Sequence, residues 1–346
     1  MKVLNLMLSA CSGGLESVAY QYARVLAGAG CESVMIVSRR SNYVLPDGVR
    51  VYRLAGSSLA NPANALGVLR ILRKERPDVV LGHGGRGVSF CSLPFMRRIA
   101  PKGIRYVGIL HGENARRFRR MDRILAVSET LREETIAKYG IPADRIIACP
   151  NAVALPPETA LVPLPVLKDG IAPTIGFLGR FDVCKGLDVL IDACAELRRR
   201  GLAFRLVIGG DGPERRDLMR RAERAGIAPV TRWAGWVDDK DAFFSKIDIL
   251  AMPSREEAVG LVALEAMAHG RAVVVSDCPG PKAIVEPSAG GVVVPRESPS
   301  ALTDALVRCL ADRGRLAMMG GRGRACVKAK YSETILADRI LKAISL

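Results

Sequence analysis

The sequence predicts an α/β protein made of two Rossmann-like, doubly wound parallel-sheet domains that face each other across a cleft. Three observations carry this. The chain has 346 residues, too many for one ordinary α/β domain and comfortable for two. Short apolar runs alternate with stretches of helical periodicity, the pattern of a parallel sheet covered by helices. The alternation runs through twice, and between the two series residues 154–173 hold Pro156, Pro157, Pro163, Pro165 and Pro173 without any sustained period, which reads as a linker. The expected division is a first domain over residues 1–153, that linker, a second domain over 174–330, and a helix within 331–346 that packs back on the first domain.

In the first series, strands are expected at Val3–Leu8, Val34–Val37, Val51–Leu54, Val79–Leu81, Tyr106–Leu110, Ile124–Val127 and Ile146–Cys149. Between the first two, Leu15, Val18, Ala19, Tyr22, Ala23 and Leu26 recur at helical spacing, and Gly28 and Gly30 end the helix. The run Val3–Leu8 ahead of Ser9-Ala10-Cys11 imitates a lipoprotein leader, but it is shorter than the ~7–15 residues of a signal-peptide core, so it reads as a buried strand. In the second series the strands are Thr174–Leu178, Phe204–Ile208, Val230–Trp233, Ile249–Met252, Ala272–Ser276 and Gly291–Val294, interleaved with helical segments such as Leu187–Arg200 and Leu261–Ala268. From Ser298 onward the chain reads as helices, the last at Ser332–Ile344.

Hydrophobic residues are 49% and charged residues 25% of the chain, as in a folded globular protein, and no apolar run approaches the ~20 residues that span a bilayer. Nine cysteines without a C-x-x-C pair fit neither a disulfide framework nor a usual zinc or redox site, and read as reduced thiols of a cytoplasmic protein. The net charge of +16 is uneven, with +11 over residues 1–165 and +5 over 166–346. Such a field attracts nucleic acid, anionic membrane or an acidic substrate, and its sign does not choose among them. Arg97, Arg98, Lys102, Arg105, Arg116, Arg117, Arg119, Arg120 and Arg123 are opposed only by Glu113 and Asp122, and follow the apolar stretch Val88–Ile99. That juxtaposition suits a surface that settles on anionic lipid, and equally a solvated face beside a core helix.

Open α/β sheets bind ligands beyond the carboxyl ends of their strands. In the second domain the first such loop is Gly179-Arg180-Phe181-Asp182-Val183-Cys184-Lys185-Gly186. Its Arg can fork onto two phosphate oxygens while its Lys offers a compact charge, a pair suited to pyrophosphate. Farther on, the strand ending at Pro253-Ser254 leads into Glu257-Ala258-Val259-Gly260-Leu261-Val262. Gly260 permits close backbone approach, and the amides of Leu261 and Val262 open a helix whose positive end suits phosphate. Glu265 lies about one turn in, where a carboxylate can hold ribose hydroxyls; Glu257 precedes the helix, within reach of a sugar. The bland alternative makes both glutamates surface residues.

Glu257-x7-Glu265 after Pro253-Ser254, together with Gly179-Arg180…Lys185-Gly186, Gly210-Asp211-Gly212-Pro213 and Ala126-Val127-Ser128, resembles the retaining glycosyltransferases of family four, which have the GT-B fold. The resemblance runs over nearly the whole chain. It implies that Arg180 and Lys185 hold the donor pyrophosphate, that Leu261 and Val262 donate backbone hydrogen bonds to it, that Glu265 binds the ribose, and that Glu257 contacts the transferred sugar. It makes Cys11-Ser12-Gly13-Gly14-Leu15-Glu16 the glycine-rich loop after the first strand, with Gly13 and Gly14 beside the donor, and His111 the active-site histidine. The backbone near Val237 would meet the nucleotide base. The implied donor is a nucleotide-diphosphate sugar, a UDP-sugar rather than a GDP-sugar, with no metal cofactor. The implied acceptor is a glycan or lipid-linked molecule in cell-surface polysaccharide or lipopolysaccharide synthesis, and the membrane reading of the basic cluster would place it at the inner face of the cytoplasmic membrane. The implied sugar is a hexosyl or N-acetylhexosaminyl group, moved by a front-face attack in which the departing diphosphate takes the acceptor's proton. Ala258 and Val259 depart from the usual glycine and aromatic, and His111-Gly112-Glu113-Asn114 departs from the common His-Asp, so sugar and acceptor specificity do not carry over.

Other readings stay open on the residues alone: a nucleotide-sugar epimerase or hydrolase, a non-catalytic binder on the same fold, and a nucleic-acid-binding protein. Aromatic residues at 5% and the lack of a recognised module weigh against nucleic acid. Asp239-Lys240-Asp241 imitates an Asp-x-Asp metal site but flanks an expected helix start, where acids cap. His83 ends a strand among glycines and reads equally as cleft-lining or as structural or solvated; His269 at a helix end reads as structural. Trp233 and Trp236 are expected to pack around a strand end.

Overall fold

The computed structural model describes residues 1–8, 14–41, 47–55, 62–112, 115–161 and 172–345. Gly13, the neighbouring Cys11 and Ser12, Glu113, Asn114 and residues 162–171 of the proline-rich linker lie outside the described residues. The chain forms two compact units, one of Met1–Asn151 with Glu333–Leu346 and one of Ala152–Ser332.

The first unit holds β1 (Lys2–Met7), α1 (Gly14–Gly28), β2 (Glu32–Ser38), β3 (Arg50–Leu54), α2 (Pro62–Glu75), β4 (Val79–His83), α3 (Gly84–Ser92), α4 (Pro94–Ile99), β5 (Arg105–Leu110), β6 (Arg123–Ala126), α5 (Glu129–Tyr139) and β7 (Ile146–Ala148). Its strands pair in parallel in the order β3-β2-β1-β4-β5-β6-β7. The non-consecutive strands β1 and β4 lie side by side, so the order reverses there, which is where such sheets open a ligand crevice. Val3, Leu4, Leu6 and Met7 of β1 are fully buried, because helices cover both faces of a parallel sheet. Local chemistry sets the helix ends: the Ser128 hydroxyl accepts from the Leu131 amide at the start of α5, and Gly140, left-handed at φ 60°, ends it.

The second unit holds β8 (Thr174–Leu178), α6 (Leu187–Arg199), β9 (Arg205–Gly209), α7 (Arg215–Arg224), β10 (Thr231–Gly235), α8 (Lys240–Phe244), β11 (Ile249–Met252), α9 (Leu261–Ala268), β12 (Ala272–Ser276), α10 (Pro279–Ser288), β13 (Gly291–Val294), α11 (Pro299–Leu310) and α12 (Arg313–Lys330). Its parallel order is β10-β9-β8-β11-β12-β13, with the same reversal between β8 and β11. The last helix, α13 (Glu333–Ser345), belongs to the first unit. Its Glu333 accepts from Gln21 of α1 at 2.8 Å and pairs with Arg24. No helix among the described residues is long and apolar enough to cross a membrane.

One expectation fails. Trp233 packs edge-on against Phe181 at 5.8 Å, but Trp236 is 70% exposed and its indole N–H donates to Asp238. Trp236 lies one residue beyond β10, where the sheet no longer covers it.

The carboxyl ends of β8 and β9 meet backbone to backbone. Gly179 N–H donates to Gly209 O, and Phe181 N–H to Asp211 O. A Cβ on Gly210, whose φ is 124°, would sit 1.8 Å from Gly179 O. Gly210→Ala should therefore destabilise the second unit by about 2 kcal/mol or more, a fall of about 4–8 °C in its unfolding temperature. Gly28→Ala, whose added Cβ meets nothing within 4 Å, should leave calorimetric unfolding unchanged.

Candidate functional site

In the second unit, the polar side chains cluster at the carboxyl ends of β8 and β11. Lys185 ends a short 3-10 turn, Val183–Lys185, closed by Gly186 at φ 64°. A Cβ on Gly186 would lie 2.1 Å from Pro253 O, so glycine is what lets this loop rest on the segment after β11. The result is a Lys185–Glu257 ion pair of 2.6 Å. Burial lowers the Lys185 pKa, but the Glu257 carboxylate outweighs it and holds the ammonium above its ordinary value. Arg180 stays 67% exposed, with its Nε 3.2 Å from Asp182.

Glu257 also accepts from the Gly260 amide at 3.2 Å, which fixes the turn into α9. Gly260 is left-handed at φ 82°, and the amides of Leu261 and Val262 follow in the first turn, where N–H groups lack an intrahelical partner. One turn on, Glu265 pairs with Lys240 at 2.5 Å through Oε1, while its Oε2 is buried without a partner. Val237 packs its side chain beneath this edge, against Gly209. Gly260, Leu261, Val262, Glu257 and Glu265 are thus brought together on one helix end, with Lys185 joined to them through Glu257.

Nothing in the sequence singles out Arg255 or Lys240 as site residues. Arg255 forks onto Asp188 with two 2.8 Å hydrogen bonds, reaches Val183 O at 2.8 Å and Glu297 at 2.9 Å, and so ties the Glu257 segment to the Lys185 turn. Asp239 accepts from Ala242 as the cap of α8, and Asp241 lies 2.8 Å from His269 Nε2. Both acids of the Asp-x-Asp sequence are engaged in holding helix ends. His269, whose other ring nitrogen lies 2.7 Å from Glu265 O, joins α9 to α8 as a structural residue.

In the first unit, His111 follows the last residue of β5. Burial brings its pKa down to about 4, so the ring is neutral near pH 7, and its Nε2 is buried without a partner. Gly14 begins α1, and Glu16 in that first turn is buried with Oε1 unpartnered. His83 is fully buried, so it is not a solvated group.

The basic run separates into two kinds of residue. Arg97 forks onto Asp122 and Arg120 O and stacks on Tyr106 at 4.6 Å. Arg119 donates to Tyr139 O, Arg120 to Ser92 O, Arg123 to Asp144 O, and Arg117 to the Ser89 hydroxyl. These guanidiniums satisfy carbonyls and a hydroxyl at loop ends, a use that charge counting cannot see. Beside them Leu93 and Phe95 are 42% and 68% exposed, whereas Val88 and Phe90 of the same apolar stretch are core.

Residues 12–155 match the family model described as Glycosyltransferase Family 4, and residues 172–312 the one described as Glycosyl transferases group 1. The chain is 32% identical over 170 residues to an alpha-D-kanosaminyltransferase of Streptomyces kanamyceticus, covering 49% of this chain and 44% of that protein. It is 30% identical over 174 residues to the lipopolysaccharide core biosynthesis glycosyltransferase LpsE of Rhizobium meliloti, covering 50% of each. The chain thus spans about half the length of these curated relatives. Its fold is similar to that of Anabaena HepE solved in complex with UDP, with a TM-score of 0.80, 18% identity and full coverage of both chains.

The low pKa of His111 has a consequence for stability. An exposed histidine ionises near ~6.5, so between that value and about 4 the folded chain binds fewer protons at this site than the unfolded one. Native stability therefore rises with pH across that window and is lost as pH falls through it. His111→Gln should flatten the dependence of unfolding temperature on pH between those limits; an unchanged slope would mean that the ring is solvated.

Proposed function

Because the chain belongs to glycosyltransferase family 4, we infer that it transfers a hexosyl or N-acetylhexosaminyl group from a nucleotide-diphosphate sugar to a glycan or lipid-linked acceptor, with retention of anomeric configuration. The observation that carries the reading is the helix end at Gly260, with Leu261 and Val262 amides in its first turn, Glu265 one turn on and the Lys185–Glu257 pair beside it. A helix N-terminus with a cation nearby suits a diphosphate. A carboxylate with one buried, unpartnered oxygen suits a ribose hydroxyl, because leaving that oxygen unbonded is costly.

The chemistry follows from where charge grows. As the bond to the sugar breaks, the departing diphosphate gains negative charge, and Arg180, Lys185 and the helix amides stabilise that charge more than they stabilise the intact donor. Lys185 is held by Glu257 until an anion shares it, and Glu257 is then released to the hydroxyls of the transferred sugar. The resemblance assigns Gly13 and Gly14 to the donor and Val237 to the base, and we assign to His111, neutral near pH 7, acceptance of a hydrogen bond from a sugar hydroxyl. Charge neutralisation is assigned to these groups, so we propose catalysis without a metal ion.

We favour a UDP-sugar as donor, supported by the UDP held by HepE, and a role in lipopolysaccharide or other cell-surface polysaccharide synthesis, supported by the likeness to LpsE. A cytoplasmic protein working at the inner membrane face accords with exposed Leu93 and Phe95 beside Arg98 and Lys102.

Three measurements test these readings. Arg180→Ala should lower turnover more than it weakens donor binding, and equal losses would refute a transition-state role. Glu265→Ala should cost roughly 1.5–3 kcal/mol, or about ten-fold or more in donor affinity, and abolish the thermal shift that a saturating UDP-sugar gives the wild type. In flotation at low salt, anionic liposomes should carry more protein than neutral ones; equal recovery would remove the membrane reading.

A further inference from the structure

A file of polar side chains crosses one face of the first unit's sheet. Asn5 of β1 pairs in register with Leu81, two residues before His83, and His83 of β4 pairs with Ile109, two residues before His111. Register partners in a parallel sheet point to the same face, as do residues two apart along a strand. Asn5, His83 and His111 therefore step diagonally across one face toward the carboxyl edge, and α1 covers them, with the Tyr22 ring edge-on to His83 at 5.3 Å.

Asn5 and His83 are both fully buried, a placement that costs stability unless their polar atoms are bonded. His83 Nε2 lies 3.0 Å from Asn5 Oδ1. A carbonyl oxygen accepts, so this nitrogen carries the proton and Nδ1 is left with its lone pair. His83 Nδ1 is buried without a partner, as is His111 Nε2. The two rings are 6.3 Å apart between centroids, too far for a direct ring-to-ring hydrogen bond and a span that one oxygen atom bridges.

We propose that Asn5 and His83 are positioning residues that fix the tautomer of His111. A water shared by the two rings donates to His83 Nδ1 and accepts the proton of His111 Nε2, which leaves the lone pair of His111 on Nδ1. Its consequence for the reaction rests on the role given to His111 above: a defined acceptor nitrogen, rather than an alternating one, meets the sugar hydroxyl.

The chain has three histidines, so imidazole nitrogen NMR of the whole protein reads each ring, with assignments from single replacements. Near pH 7, His83 and His111 should both appear as neutral Nε2–H tautomers. His83→Met, which fills the volume with only a weak thioether acceptor, should turn His111 into a mixture of tautomers and lower kcat by about ten- to a hundred-fold, the scale of lost second-layer hydrogen bonds, with donor KM within about two-fold. His83→Gln, which restores a side-chain acceptor, should recover most of both. An Nδ1–H or protonated His111 in the wild type overturns the proposal even if His83→Met does not fold. So does an unchanged spectrum and kcat in a folded His83→Met. The spectrum needs no substrate, so it separates this proposal from the catalytic reading, which full activity in His111→Gln would overturn.

Discussion

The candidate donor site depends on close approach of backbone to backbone at the ends of the strands in the second unit. Gly210 lies against Gly179 O, Gly212 against Phe181, and Gly186 against Pro253 O, each at a distance that a Cβ would forbid. These contacts are short because no side chain separates the loops, and they set the loop of Arg180 and Lys185 directly on the segment that carries Glu257. Without them the cation and the carboxylate would belong to unrelated loops. Arg255 then locks the same junction from the other side by forking onto Asp188, a buried-edge pairing whose planar geometry Lys could not reproduce.

The charges so assembled are self-compensating. Lys185 is matched by Glu257, Glu265 by Lys240, and Arg180 by Asp182. Under the proposed function a diphosphate site must hold cations close together, and pairing each with an acid limits their mutual repulsion while the site is free. An arriving anion exchanges one partner for another rather than meeting bare charge. Discrimination then falls to the groups left unpartnered, the helix amides at Leu261 and Val262 and the buried oxygen of Glu265.

In the first unit electrostatics serves architecture. Much of the arginine-rich run that dominates the sequence closes loop ends by donating to carbonyls at Tyr139, Ser92, Arg120 and Asp144, so net charge overstates what faces a partner. The neutral polar groups of this unit are Asn5, which carries no charge, and His83 and His111, whose desolvation disfavours the imidazolium. Uncharged imidazoles offer direction rather than field, which is what a site needs for orienting a hydroxyl.

The sequence by itself determined the strand-helix alternation, the strand positions to within a residue or two, and the helix starting at Leu261, because apolar periodicity and glycine placement are local properties of the chain. It also singled out Arg180 and Lys185 in the loop after β8 and Glu257 and Glu265 around the start of α9, because their spacing along the chain survives folding. Only the tertiary structure decided which charge meets which. The partnership of Lys240 with Glu265 and of Arg255 with Asp188 spans 25 and 67 residues, and the file from Asn5 to His83 spans 78. Such pairings follow from sheet order and register, which no local pattern encodes, and the same is true of the exposure of Trp236 and the carbonyl-capping use of the arginines.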